Sequence, residues 1–171
     1  MTAHLARLAR NVDVDPDAPL DTWPYEALVA ILDRGSIRDW SAVTREIGRD
    51  PWGPVARQVE DYLGYESPAG LAPLLRRAIA RARRRAEEID RAAVAARVSE
   101  LVTRSGLSMA DFATRIGTSR SRLSTYRSGT VSPSAALVHR MERLVSAVDL
   151  SSPAAAPPAA RTGRTAAGRR R

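Results

Sequence analysis

Residues 107–133 read LSMADFATRIGTSRSRLSTYRSGTVSP. The stretch spells two short helices with almost nothing between them. Ser108 stands as an N-cap, Asp111 follows three residues later as a capping-box acid, and Leu107 is placed to staple against Phe112. Met109, Phe112, Ala113 and Ile116 then fall at i, i+3, i+4 and i+7, which is one buried stripe on one helix. Gly117 breaks that helix, and Ser119 caps the next, which carries Leu123 and Tyr126 inward. Two helices that cross steeply need a small residue where they touch and a residue tolerant of positive φ at the corner. Ala113 and Gly117 supply these, and Leu123, six residues on, is where the second helix packs back.

The flanks extend the pattern. Upstream, LVTRSG ends a helix at Gly106, which is able to take the left-handed conformation. Downstream, Gly129 and Pro133 precede a closing helix with Leu137, Met141, Leu144, Val145 and Val148 on one stripe. Taken together, residues 92–148 resemble the Cro/lambda-repressor (XRE-like) type of helix-turn-helix domain, with Ala113, Gly117, Ser119, Leu123, Gly129 and Pro133 at the matching positions.

That resemblance implies that the helix over 119–127 enters the major groove of double-stranded DNA. Carried over, the base-reading residues are Arg120, Ser121 and Thr125, and Arg120 is suited to bond guanine O6 and N7 together. Ser119, Arg122, Ser124, Arg127 and Thr130 then meet the backbone or the groove wall. Two positions depart from the family: Met109 stands where many relatives have glutamine, and Arg127 where many have glutamate. The first removes a polar phosphate contact common in the family, and the second makes the patch more basic.

Composition agrees with such a reading. The 171 residues suffice for one ordinary domain or two small helical ones, and 44% are hydrophobic while only 5% are aromatic, so the core is aliphatic and alanine-based. With no cysteine there is no disulfide framework, thiol nucleophile or Cys-based zinc site. No apolar run approaches the roughly 20 residues of a membrane span, and the N-terminus lacks the apolar centre of a signal peptide, so a soluble, cytoplasmic protein is expected. All 27 basic residues are arginine. Residues 1–70 hold seven arginines and twelve acids, residues 71–171 twenty arginines and seven acids. Such asymmetry suggests that the second half approaches a polyanion.

An all-α fold is expected throughout. After a flexible N-terminus over 1–19, a small helical module over 20–66 is predicted from three punctuated segments. WPYEALVAILDRG has Pro24 near its start and Gly35 past its end; SIRDWSAVTREIG puts Ile37, Trp40, Val43 and Ile47 on one stripe before Gly48; DPWGPVARQVEDYLG begins with Asp50 as cap and Pro51 in the first turn. Trp23, Trp40 and Trp52 suit its core. Pro73 opens a helical pattern reaching Ser105, a connecting helix over 71–91 whose apolar stripe is mostly alanine. Its cluster of Arg76, Arg77, Arg81, Arg83, Arg84 and Arg85 reads either as a contact for phosphates or an acidic partner, or as a solvated face balanced by Glu87, Glu88 and Asp90. Residues 151–171 are rich in Ala, Pro and Gly, with five arginines and no acid, and are read as a disordered tail.

Residues 23–63 resemble the leader segment of small actinobacterial helix-turn-helix proteins, which leaves a partner-binding or dimerising module open. His4 and His139 are far apart and supply no metal-site spacing, and no carboxylate accompanies a nucleophile or phosphate loop. No enzyme, metal or cofactor is expected. Three readings stand: a DNA-binding repressor acting as a homodimer, an antitoxin-like protein whose residues 20–66 hold a protein partner, and a non-specific DNA-packaging protein.

Overall fold

Pro24 and Gly35 bracket the first helix of the chain. The computed structural model describes residues 14–15, 18–65 and 70–151. These form a 3-10 turn, Leu20–Thr22, and seven α-helices: α1 Tyr25–Arg34, α2 Ile37–Arg49, α3 Pro54–Tyr65, α4 Ala72–Arg104, α5 Met109–Ile116, α6 Arg120–Arg127 and α7 Ala135–Ser151. No strand occurs among the described residues, so the fold is all-α as expected. Most of the N-terminal arm over 1–19, and the tail beyond Ser151, lie outside the described residues. The chain divides into two units, residues 1–93 and 94–171.

In the first unit, α1 buries Leu28, Ile31 and Leu32, α2 Val43 and Ile47, and α3 Val55, Val59 and Tyr62. Leu71, Ala72, Leu75 and Ile79, from the start of α4, complete that core. Most of its polar groups are paired within it, although Asp21 Oδ1 and Gln58 Oε1 are buried without a partner among the described residues. Tyr62 donates to Asp33 Oδ1 at 2.6 Å, Gln58 Nε2 to the Trp23 carbonyl at 3.2 Å, and the Trp23 indole to the Ala18 carbonyl at 3.1 Å. Asp39, 4% exposed, accepts at one carboxylate oxygen from both the backbone N–H and the hydroxyl of Ser36, at 2.8 and 2.7 Å.

Four expectations for this unit are corrected. Gly48 does not stop α2, which runs to Arg49 and is closed by the Asp50 N–H bonding the Glu46 carbonyl at 2.9 Å. Gly48 is the next-to-last residue of α2, and even inside a helix a glycine costs only about 1 kcal/mol, less than the burial of Val43 and Ile47 on the same helix returns. Asp50 therefore ends one helix instead of starting the next, and it is Pro54, not Pro51, that opens α3. Residues 51–53 form a turn in which the Asp50 carboxylate lies beneath Gly53, so close that a Cβ there would stand 2.3 Å from Oδ2. That turn points Trp52 outward, 47% exposed, where a core residue was expected. Trp40 is half-buried, with its indole bonded to the Ile31 carbonyl at 3.2 Å. Ile37 departs further from its expected stripe: as the first residue of α2 it lies a turn before the buried part of the stripe and is 78% exposed.

Helix α4 spans 33 residues, as the pattern from Pro73 to Ser105 predicts. Residues 84–93 are exposed except Ala86. Within the first unit Arg83 forms a two-pronged pair with Glu60, at 2.7 and 2.8 Å, and also donates to the Pro51 carbonyl. Arg76 donates to the Leu63 carbonyl at 3.2 Å. Two members of the arginine cluster thus have partners that the sequence did not suggest.

In the second unit the last turns of α4 bring Val98, Leu101 and Val102 against Phe112, Ile116, Leu123, Tyr126, Met141 and Val145. Every stripe residue read for α5 and α6 is in or against this core, with Met109 and Leu107 at its margin.

Candidate nucleic-acid interface

The corner between α5 and α6 is built from backbone chemistry. Ser108 Oγ accepts from the Asp111 N–H at 3.2 Å and donates to Asp111 Oδ2 at 2.6 Å, which starts α5. Gly117 ends it at φ 77° and ψ 41°, and the Thr118 N–H returns to the Ala113 carbonyl at 2.9 Å. This is the left-handed closure that glycine adopts without a Cβ penalty. Ser119 Oγ then accepts from the Arg122 N–H at 3.1 Å and caps α6, which starts at the next residue, Arg120. The hydroxyl proton of Ser119 stays available to a phosphate oxygen.

On α6, Leu123 and Tyr126 are buried and set the inward direction. At 100° per residue, Ser121, Ser124 and Thr125 point the opposite way, with Arg120 and Arg127 on one flank and Arg122 on the other. Arg120, Ser121, Arg122 and Ser124 are exposed, and their side chains make no hydrogen bond or ion pair with another described residue. Thr125 is half-buried and donates its hydroxyl proton to the Arg122 carbonyl at 2.8 Å, which leaves an acceptor oxygen and a methyl outward. Thr130 lies past the helix, its Oγ1 2.8 Å from Ser128 Oγ.

Arg127 folds back. Its Nη1 is 3.1 Å from Met109 Sδ and its Nε 3.5 Å from Ser99 Oγ, which places the guanidinium at the first turn of α5 and away from the outward face of α6. The two departures from the family pattern therefore touch each other. Sequence reading missed Ser128, which lies seven residues after Ser121 on the same face and signals itself only through that spacing. It also missed Arg140 of α7, whose Nη1 lies 3.3 Å from where a Cβ on Gly117 would be. No local motif announces the latter, because the two residues meet only through packing.

Comparison with family models places residues 98–150, from the end of α4 through α7, in the helix-turn-helix family. The match covers 53 of the 171 residues. No curated protein and no solved structure matches the chain.

Charge is sorted across the helix-turn-helix domain. Residues 94–150 hold eight arginines and four carboxylates, Glu100, Asp111, Glu142 and Asp149. Three of the four acids lie in one network between α4 and α7: Arg97 pairs with Glu100 and Glu142, both at 3.0 Å, and Arg104 with Asp149 at 2.7 Å and Glu100 at 3.7 Å. Hydrogen bonds that Arg97 donates to Glu100 and then to Glu142 raise its pKa further above its already high ordinary value. The fourth acid, Asp111, is held in the α5 cap. Within residues 94–150 no carboxylate is left beside Arg120 or Arg122, and the face they flank carries positive charge, the property that draws in a phosphate backbone.

Among the described residues no group of three or more His, Cys, Asp or Glu is placed to hold a metal ion, and His139 is exposed on α7. His4 lies outside the described residues. No described helix is long and apolar enough to cross a membrane.

Proposed function

We propose that the protein is a sequence-specific transcriptional regulator, acting as a repressor, that lays α6 in the major groove and binds as a homodimer to two half-sites about 34 Å apart. In this reading Arg120, Ser121 and Thr125 face base edges, with Arg120 forking onto a guanine. Ser119, Arg122, Ser124 and Thr130 meet phosphates and the groove wall. Arg127 serves the backbone from the start of α5, where it supplies a cation beside the methionine that replaces the family's polar residue. The function calls for neither cofactor nor catalytic step.

The observation that carries the reading is the outward face of α6. Arg120, Ser121, Arg122 and Ser124 have side chains bonded to no other described residue, while every carboxylate of the domain is occupied elsewhere. A solvated surface helix has no need of such sorting, whereas a polyanion-binding one does.

The test is selection of duplexes from a random library at near-physiological salt, followed by affinity measurements on the enriched site. Arg120→Ala should cost roughly 1–3 kcal/mol on that site and relax the choice at one base pair. An unchanged preference and affinity would show that the register of α6 is wrong. Recovery of the library without enrichment, with a steep salt dependence, would favour non-specific packaging.

A further inference from the structure

The least explained surface of the first unit is an apolar groove between α2 and the start of α4. It has a volume of about 600 Å³ and is lined by Ile37, Trp40, Ser41, Thr44, Leu71 and Leu74. Ile37 is 78% and Leu74 54% exposed, although neither is near the recognition helix in sequence and both sit on well-formed helices. The Trp40 indole nitrogen is satisfied by the Ile31 carbonyl, so the ring offers the groove an apolar surface. Large aliphatic side chains clustered in one exposed groove cost solvation free energy and mark a docking site.

The rim tells what kind of molecule fits. On α2, Arg38 and Arg45 lie three and four residues from Ser41, hence on the neighbouring strip of the helix. On α4, Arg77 and Arg81 follow Leu74 by three and seven residues on its own strip. All four are exposed, and none makes a hydrogen bond or ion pair with another described residue. The two acids of α2, Asp39 and Glu46, lie on the other side of the helix and are held by Ser36 and Arg49. The first acid on α4 is Glu87, well beyond the groove.

We propose that this groove binds an acidic amphipathic helix of a partner protein, its apolar residues seated between Ile37, Trp40 and Leu74 and its carboxylates meeting Arg38, Arg45, Arg77 and Arg81. Charge decides against the other occupants. Two copies meeting groove to groove would set the arginine rims against each other. The C-terminal segment of this chain carries the wrong sign, with five arginines and no acid over residues 152–171, and the N-terminal residues 1–17, with two arginines and three acids, are too nearly neutral to match four arginines. An amphipathic helix supplies its anchors at i, i+3, i+4 and i+7, spacing that suits a groove between two helices. The inference does not depend on how α6 reads DNA, and its test uses none.

The probe is a labelled synthetic peptide about four helical turns long, with leucines at those spacings and Glu or Asp on the remaining positions. Its binding to the full chain is followed by fluorescence anisotropy, beside a peptide in which every acid is replaced by lysine and a scrambled peptide of the same composition. The acidic amphipathic peptide should bind, and the other two should not. Ile37→Ser combined with Leu74→Ser should weaken binding about tenfold or more, the scale of losing anchor side chains. Both residues are exposed, so the helical circular dichroism of the variant should stay unchanged. Arg45→Ala with Arg81→Ala should lower both the affinity and its salt dependence. Equal binding of the serine variant, or equal binding of the scrambled or lysine peptide, would overturn the proposal. So would sedimentation showing that the wild-type chain is a dimer which the two serine substitutions make monomeric, since a second copy would then fill the groove.

Discussion

Helices end differently in the two units. In the helix-turn-helix domain each boundary is drawn by a residue acting on its own neighbours: Ser108 and Ser119 cap with their hydroxyls, and Gly117 turns at positive φ. In the first unit Ser36 starts α2 with a capping box, but the end of α1 is drawn by crowding. Gly35 has an ordinary extended conformation, φ −73° and ψ 161°, which any residue adopts. What requires glycine there is space, since a Cβ would stand 2.2 Å from the Ile31 carbonyl oxygen, which already accepts from the Gly35 N–H and the Trp40 indole. At Gly53 the crowding comes from the Asp50 side chain, which can move aside as backbone cannot. A boundary set by local chemistry is legible from sequence, whereas one set by what packs above it is not.

The largest expected effect breaks the core on which the local devices rest. Phe112→Ala should destabilise the helix-turn-helix domain by about 3–5 kcal/mol, because the cavity adds to the lost transfer free energy. Hydrogen exchange of the α5–α7 amides measures it, and retained protection would mean that Phe112 is not a pivot of that core.

The two glycines sharpen the comparison directly. Gly35→Ala should cost about 1–3 kcal/mol through overpacking against backbone. Gly117→Ala should cost about 1–2 kcal/mol through left-handed strain. Asparagine separates the causes: Gly117→Asn should recover much of the loss because asparagine tolerates that conformation, and Gly35→Asn should recover none. Equal behaviour of the two asparagine variants in thermal melts would erase the distinction.

A smaller effect is expected at a cap. Ser119→Ala should cost about 1 kcal/mol by leaving the Arg122 N–H without its acceptor. It should show first as faster exchange in the opening turn of α6, together with weaker DNA binding. The smallest effect belongs to the charge network. Glu142→Gln should shift the melting midpoint slightly, and the shift should fade in high salt because the pair with Arg97 is exposed. The folded pKa of Arg97 is raised, so its contribution is complete below the ordinary arginine value and lost only as pH rises beyond it. Across the neutral range the Arg97 side of the pair should therefore leave the midpoint unmoved.

By itself the sequence determined the all-helical class, the span of α4 and the whole of the α5–α6 corner. Apolar spacing, N-cap hydroxyls and a left-handed glycine act within a turn or two of their own position. The family resemblance named Arg120, Ser121, Arg122 and Ser124, and their exposure follows from the inward positions of Leu123 and Tyr126. Tertiary structure alone decided the rest. It chose Pro54 over Pro51 as a helix start, turned Trp52 and Ile37 outward, drew Arg127 back to Met109, and set Arg97 and Arg104 against acids of α7, 45 residues away along the chain. Each of these outcomes depends on which distant side chain occupies the adjoining space, and neither propensity nor periodicity carries that information.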